Sequence, residues 1–312
     1  MKDYLEVMDL ARSDLDRVLA LAVEARQAPH SRAGLLGDEI VFCYFDKPST
    51  RTRVSFSAAI SHLGGEAEFV GPAELQLGRG ETIEDTAMVV SRYARAVVIR
   101  TFAHNDVVRF ARAATVPVIN ALTDLHHPCQ ALADLMTIRD HLPNVDRIKL
   151  AYVGAGNNVC HSLVQAGALT GLSIVVATPA QLAPNSDVVS EARVIGKSTG
   201  ASIELINDPE RAVAGANVVY TDVWLSMGDP LEQQDARRQL LEPYRVDEQL
   251  MATAASGAIF MHCLPAHRGD EVVDEVIDGP QSVVADQAEN RMHTEQGLLV
   301  ALLTESLTGR SR

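Results

Sequence analysis

The chain has 312 residues, 47% of them hydrophobic, which is ample for a large core and, by length, for two domains. Its formal net charge is -14, which excludes broad binding to nucleic acid or to an anionic membrane surface, since both need a basic footprint. An anionic small substrate then requires a locally positive pocket inside an acidic body.

Residues 4–26 place Leu5, Met8, Leu15, Leu19 and Ala22 at helical spacing, with charges between them. Nothing in the first 25 residues resembles a signal peptide: acids run throughout and no small-residue cleavage site follows. Strands are predicted near 39–45, 67–70, 96–101 and 116–120, with helices near 52–63, 82–92, 105–114 and 128–141. HLPNVDR (141–147) carries Pro143 and charges and reads as a joint. Strands resume near 148–153, 173–178, 202–206, 217–222, 257–262 and 282–285, with helices between them and a last helix near 289–307. The stretch 226–245 is long and polar and reads as a loop. Repeated β-then-α order predicts parallel sheets with helices on both faces, and the joint near 143 divides them into two domains.

No apolar run reaches the ~18 to 20 residues that span a bilayer. Cys43, Cys129, Cys160 and Cys263 are widely spaced, with no CxxC pair. A disulfide framework is not expected, and a reducing cytoplasm is the default compartment.

In open α/β sheets ligands bind beyond the carboxyl ends of the strands. Every conspicuous polar cluster of this chain falls at such a place, the pattern expected of a cleft between two domains. After the first strand comes STRTR. Ser49 and Thr50 precede a helix, where free backbone N–H groups favour an anion, and Arg51 can grip a phosphate bidentately. A cap accounts for one hydroxyl and not for the cluster. Arg100 ends the apolar AVVIR, where a second guanidinium suits the same anion, although a strand-end arginine is often only the first solvated residue. His127 and Gln130 lie across the start of a helix with Pro128 in its first turn, and both are donors for a carbonyl or phosphate oxygen. A zinc site of His126, His127 and Cys129 lacks a matching ligand pair.

In the second half, GAGNN (154–158) lacks the third glycine and the later acid of a dinucleotide fingerprint. Asn157 and Asn158 suit a substrate carboxylate instead. Asp222, with the SMG loop (226–228), suits an ammonium, so the pairing fits an amino-acid zwitterion. Cys263, in HCLPAH, is open to three readings: nucleophile, metal ligand or buried thiol, the last being the common state of a lone cysteine. Leu264-Pro265 turns backbone carbonyls towards the cleft.

FDKPSTRTR, RTF, HPCQ, GxGNN, DVWLSMG, HCLPAHRGDEV and AENR occur in that order across nearly the whole chain. Together they resemble the ornithine carbamoyltransferases. The resemblance implies transfer of the carbamoyl group of carbamoyl phosphate to the δ-amine of L-ornithine, giving L-citrulline and phosphate in the biosynthetic direction, with no cofactor and no metal. It implies a carbamoyl-phosphate domain over 1–143, joined by a C-terminal helix (289–312) packing back on it, and an ornithine domain over 144–288. It further implies a cytoplasmic homotrimer. By motif match, Ser49, Thr50, Arg51, Thr52, Arg100, His127 and Gln130 bind carbamoyl phosphate, and Gln76 in LQLGRGET reaches the phosphate site of a neighbouring subunit. Asn158, Asp222, Ser226 and Met227 bind ornithine. Cys263 and Leu264 line the reacting centre, and Arg291 in AENR closes it. Arg100, His127 and Cys263 are the catalytic candidates. Ser57 and Asp46 depart from the family pattern, in which Glu is common at both places, without touching an implied ligand contact.

Overall fold

The computed structural model describes residues 2–75, 80–225, 231–304 and 307–309, with backbone only at Leu231 and Gln233. It divides into two compact units, Met1–Met136 with Glu289–Arg312, and Thr137–Ala288.

The first unit holds α1 (Arg12–Gln27), β1 (Ile40–Phe45), α2 (Thr50–His62), β2 (Glu66–Val70), α3 (Ile83–Val90), β3 (Ala94–Arg100), α4 (His104–Ala113), β4 (Val118–Leu122) and the start of α5 (Pro128–His141). Its sheet is parallel, in the order β2-β1-β3-β4. Every residue of β4 is buried, as is all of β3 save Arg95, as a parallel sheet covered on both faces requires. The strand order reverses between β1 and β3, where Phe45 lies in register with Arg100. A reversal of this kind opens a crevice at the carboxyl ends, and STRTR and Arg100 both emerge there.

The second unit holds β5 (Lys149–Val153), α6 (Asn158–Thr170), β6 (Ser173–Ala177), α7 (Ser186–Thr199), β7 (Ser202–Ile206), α8 (Pro209–Val213), β8 (Val218–Thr221), α9 (Leu231–Leu241), α10 (Glu248–Ala252), β9 (Ile259–His262) and α11 (Asp274–Ile277). Its parallel sheet runs β7-β6-β5-β8-β9, with the reversal between β5 and β8. Trp224, Tyr244, Phe260 and Met251 anchor the core on one side of this sheet. The last helix, α12 (Val284–Leu303), lies mostly in the first unit, where Leu298 and Leu299 are fully buried.

Three elements differ from the sequence expectation. The N-terminal helix begins at Arg12, not near residue 4, because the Asp9 carboxylate accepts the N–H groups of Leu5 (2.8 Å) and Glu6 (3.1 Å) and forms a local turn. Tyr4, freed from that helix, bridges β4 instead: Tyr4 N–H donates to Val118 O at 2.9 Å and Asn120 N–H to Tyr4 O at 2.8 Å. The strand expected at 282–285 is a single bridge between Ser282 and Phe260, since Val284 already opens α12. The polar stretch 226–245 contains α9 and buries Leu241 and Tyr244; its residues 226–230 lie outside the described part.

Candidate active site

The first unit gathers its polar residues around one hydroxyl. Ser49 caps α2: its Oγ accepts the N–H of Thr52 at 3.2 Å and its own proton goes to Thr52 Oγ1 at 3.0 Å. Thr52 is fully buried, and the same Oγ1 accepts from Arg291 Nη2 at 3.0 Å and from Arg100 Nη1 at 3.4 Å. Two guanidiniums from β3 and α12 therefore converge on the first turn of a helix, whose N-terminal N–H groups add to the positive potential. Arg51 is half-buried in that turn and Thr50 is exposed.

Arg291 is held in place from outside the cluster. Arg291 Nη2 also donates to Glu295 Oε1, one helical turn along α12, at 3.0 Å. Burial raises the Glu295 carboxyl to about 7 against the opposing pull of Arg291 and the Ser55 hydroxyl. His127, also buried, is moved the other way: burial, then the charges of Arg291 and Arg100, push its imidazole well below its ordinary value, so it is neutral at physiological pH. Gln130 is buried and its Nε2 donates to Asp134 at 2.9 Å, so part of the donor capacity expected for a ligand is engaged within α5. Arg53, beside the cluster, stacks on Phe69 at 4.6 Å, and Lys47 sits over Phe102 at 3.9 Å.

The second unit places its candidates at the β5/β8 reversal. Asn157 caps α6, its Oδ1 accepting from the N–H groups of Val159 (3.0 Å) and Cys160 (3.1 Å), while its Nδ2 donates to Asp222 Oδ2 at 2.6 Å. The second Asp222 oxygen accepts from Cys263 Sγ at 3.0 Å. Asp222 is thus buried yet keeps lone pairs for an ammonium, since a carboxylate has about four acceptor sites. The sequence motif pointed at Asn158, whose Oδ1 turns to the adjacent Val159 N–H at 3.0 Å; the residue on Asp222 is Asn157. Leu264, next to Cys263, is non-glycine backbone at φ 58°, and its N–H donates to His262 Nδ1 at 2.9 Å. The Leu264-Pro265 peptide is cis.

Asp222, His262 and Cys263 bring three possible metal ligands within 4.8 Å of one another. His262 does not suit the role. Its Nδ1 lone pair accepts the Leu264 N–H, and its Nε2 faces the buried Glu271 carboxylate at 3.3 Å, which leaves no nitrogen lone pair for an ion.

The structure brings Ser49, Thr52, Arg100 and Arg291 together in the first unit, with His127 within reach of both guanidinium charges. Asp222 and Cys263 meet in the second. Gln76, Ser226 and Met227 lie outside the described residues. Asn157, expected with Asn158 on a substrate carboxylate, instead caps α6 and holds Asp222, a distinction only cap geometry makes because either asparagine can open α6. One residue, Glu295, escaped the reading. Glu295 had a signal, the i,i+4 spacing from Arg291 in AENRMHTE.

Comparison with known proteins covers both units. The carbamoyl-P binding domain of aspartate/ornithine carbamoyltransferase matches residues 2–140, and the Asp/Orn binding domain of the same family matches residues 146–302. The ornithine carbamoyltransferase of Acidothermus cellulolyticus is 50% identical over 303 residues, covering 97% of each chain. That of Bacillus thuringiensis subsp. konkukian is 48% identical over 301 residues, covering 96% of this chain and 94% of the relative. The structure of ornithine carbamoyltransferase from Pyrococcus furiosus superposes with a TM-score of 0.93 at 46% identity and 98% coverage of both chains. With both domains matched and half of all residues shared with a full-length relative, the chain belongs to the aspartate/ornithine carbamoyltransferase family.

Proposed function

We propose that the chain is an ornithine carbamoyltransferase, joining carbamoyl phosphate and L-ornithine to give L-citrulline and phosphate. The observation that carries this reading is the buried Thr52 hydroxyl with Arg100 and Arg291 both donating to it, beside a neutral His127. Such a cluster suits an anion and a developing oxyanion. Relatives near 50% identity that bear the name support the choice of ornithine.

In this reading residues 1–143 with 289–312 hold carbamoyl phosphate and 144–288 hold ornithine. Ser49, Thr50, Arg51, Thr52, Arg100, His127, Gln130 and Arg291 bind the first substrate, with Gln76 from a neighbouring subunit. Asn158, Asp222, Ser226 and Met227 bind the second, with Asn157 fixing Asp222. Cys263 and Leu264 line the reacting centre.

The chemistry needs little covalent help. A free amine of this kind has a pKa near ~10.4, so binding must favour the neutral form. Its lone pair attacks the carbamoyl carbon, and the C–O bond to phosphate breaks. The electron pair leaves with the phosphate, and the amine's surplus proton passes to a phosphate oxygen. Arg100, His127 and Thr52 stabilise the oxyanion, and Arg51 and Arg291 the leaving group. Holding two substrates in line supplies much of the remaining acceleration. Cys263 is a polar wall whose thiol donates to Asp222, not a nucleophile.

The enzyme works as a cytoplasmic homotrimer in the biosynthetic direction of arginine metabolism. Citrulline formation with ornithine, putrescine, N-acetylornithine and aspartate as competing acceptors tests the activity. Product from ornithine alone upholds the reading; product from another amine keeps the first half-site and overturns the second. Sedimentation of the purified protein tests the trimer.

A further inference from the structure

Glu295 is the buried carboxylate against the arginine that the first half-site needs. It is 1% exposed, and its Oε1 accepts from the same Arg291 Nη2 that donates to Thr52, each at 3.0 Å. The groups around it come from five elements. Arg291 faces it from α12 and the Ser55 hydroxyl from α2. The Cys43 thiol faces it from β1 and the Cys129 thiol from α5. Arg100 on β3 and His127, just before α5, belong to the same Thr52–Arg291 cluster. Burial, and then the Glu295 charge, push both thiols up, so they stay protonated. His127 is neutral. The charges linked by these contacts are then the Arg100 and Arg291 guanidiniums and the Glu295 carboxylate.

A buried guanidinium without an anion is costly, so in the ligand-free protein Glu295 serves as the internal counter-ion of Arg291. A phosphate dianion arriving at Thr52 asks for the same Nη2 and brings two negative charges beside the carboxylate. Like charge disfavours the ionised form of a carboxyl. We propose that Glu295 is a resident counter-anion that incoming phosphate displaces from Arg291, and that it takes up a proton from solvent as it is displaced. This rests on the reading of the first unit as the carbamoyl-phosphate site.

By linkage, the anion-bound form favours protonated Glu295, whose ligand-free value is about 7. Affinity is then greatest below that value and falls as pH rises through it, by at most about tenfold per pH unit.

The test is calorimetry of inorganic phosphate binding to the full chain at pH 8, in two buffers of different ionisation enthalpy, with the wild type and Glu295→Gln. The phosphate's own titration is common to both proteins and cancels. The wild type should take up roughly half to one proton more than the variant, and its affinity should fall about three- to fivefold relative to the variant between pH 7 and pH 8. Equal proton counts overturn the inference. Infrared difference spectra of the wild type test it without the variant: a protonated-carboxyl band must appear on phosphate addition, and its absence overturns the idea equally. Phosphate binding to neither protein overturns the underlying site; binding without excess proton uptake overturns this inference alone.

Discussion

Thr52 carries no charge, yet three side chains of the first half-site meet on its oxygen. Replacing it with valine keeps the shape and removes the acceptor. Two buried guanidiniums then lose a partner, which costs ~1–3 kcal/mol. Thr52→Val should lower kcat and also raise the KM for carbamoyl phosphate, and urea denaturation should show a loss of stability of that order. In the second unit Asp222 accepts from Asn157 and Cys263 at once. Asp222→Asn puts an amide NH2 where only acceptors fit, facing at least one donor. The KM for ornithine should rise by about two orders of magnitude, the equivalent of roughly 2.7 kcal/mol, with carbamoyl-phosphate binding unchanged in a direct titration. Cys263→Ser keeps a donor to Asp222 and should retain turnover within about tenfold; a trapped carbamoyl-thioester on Cys263 in the wild type would overturn the non-covalent chemistry.

Elements were legible where their chemistry is repetitive. Apolar runs such as AVVI (96–99) and IVVA (174–177) announce parallel sheets. The polar residues that interrupt the pattern fall where each strand ends, so the order of residues alone puts STRTR, Arg100 and Asp222 at carboxyl edges. What stayed hidden depends on partners distant in sequence. Ser282-Val283-Val284 has β-branched character but follows Gly279-Pro280 and opens α12, so propensity yields to packing. Tyr4 looks helical until Asp9 takes the two N–H groups that a helix would use. Asn157 and Asn158 differ only in which of them caps α6. The meeting of α12 with α1 is the least visible, because a lone Gly297 carries it: a Cβ there would lie 2.7 Å from Ala22 N and 2.8 Å from Val18 O. Gly297→Ala therefore forces two helix backbones apart and should destabilise the first unit by ~2–4 kcal/mol in chemical denaturation, although alanine is the better helix former.

At the scale of the molecule, the two units differ in continuity. Thr137–Ala288 is one run of chain with its own five-stranded sheet and core, whereas the first unit is assembled from Met1–Met136 and Glu289–Arg312. A fragment of residues 137–288 should fold alone and melt cooperatively by circular dichroism. A fragment of residues 1–136 should not, since it lacks the α12 face that buries Leu298 and Leu299 and the Arg291–Glu295 pair that meets Thr52. A melting transition in the shorter N-terminal fragment equal to that of the whole protein would refute this. On the ribosome the same discontinuity sets a schedule. The N-terminal 136 residues emerge first but wait for α12, and at a synthesis rate of ~5–20 residues per second the intervening stretch delays it by on the order of ten seconds. During that interval the later-made unit can fold while the earlier one still shows an open apolar flank. A nascent chain of this kind is a client for ribosome-bound chaperones, and a stop codon shortly before Arg291 leaves a nearly full-length product whose first half never closes.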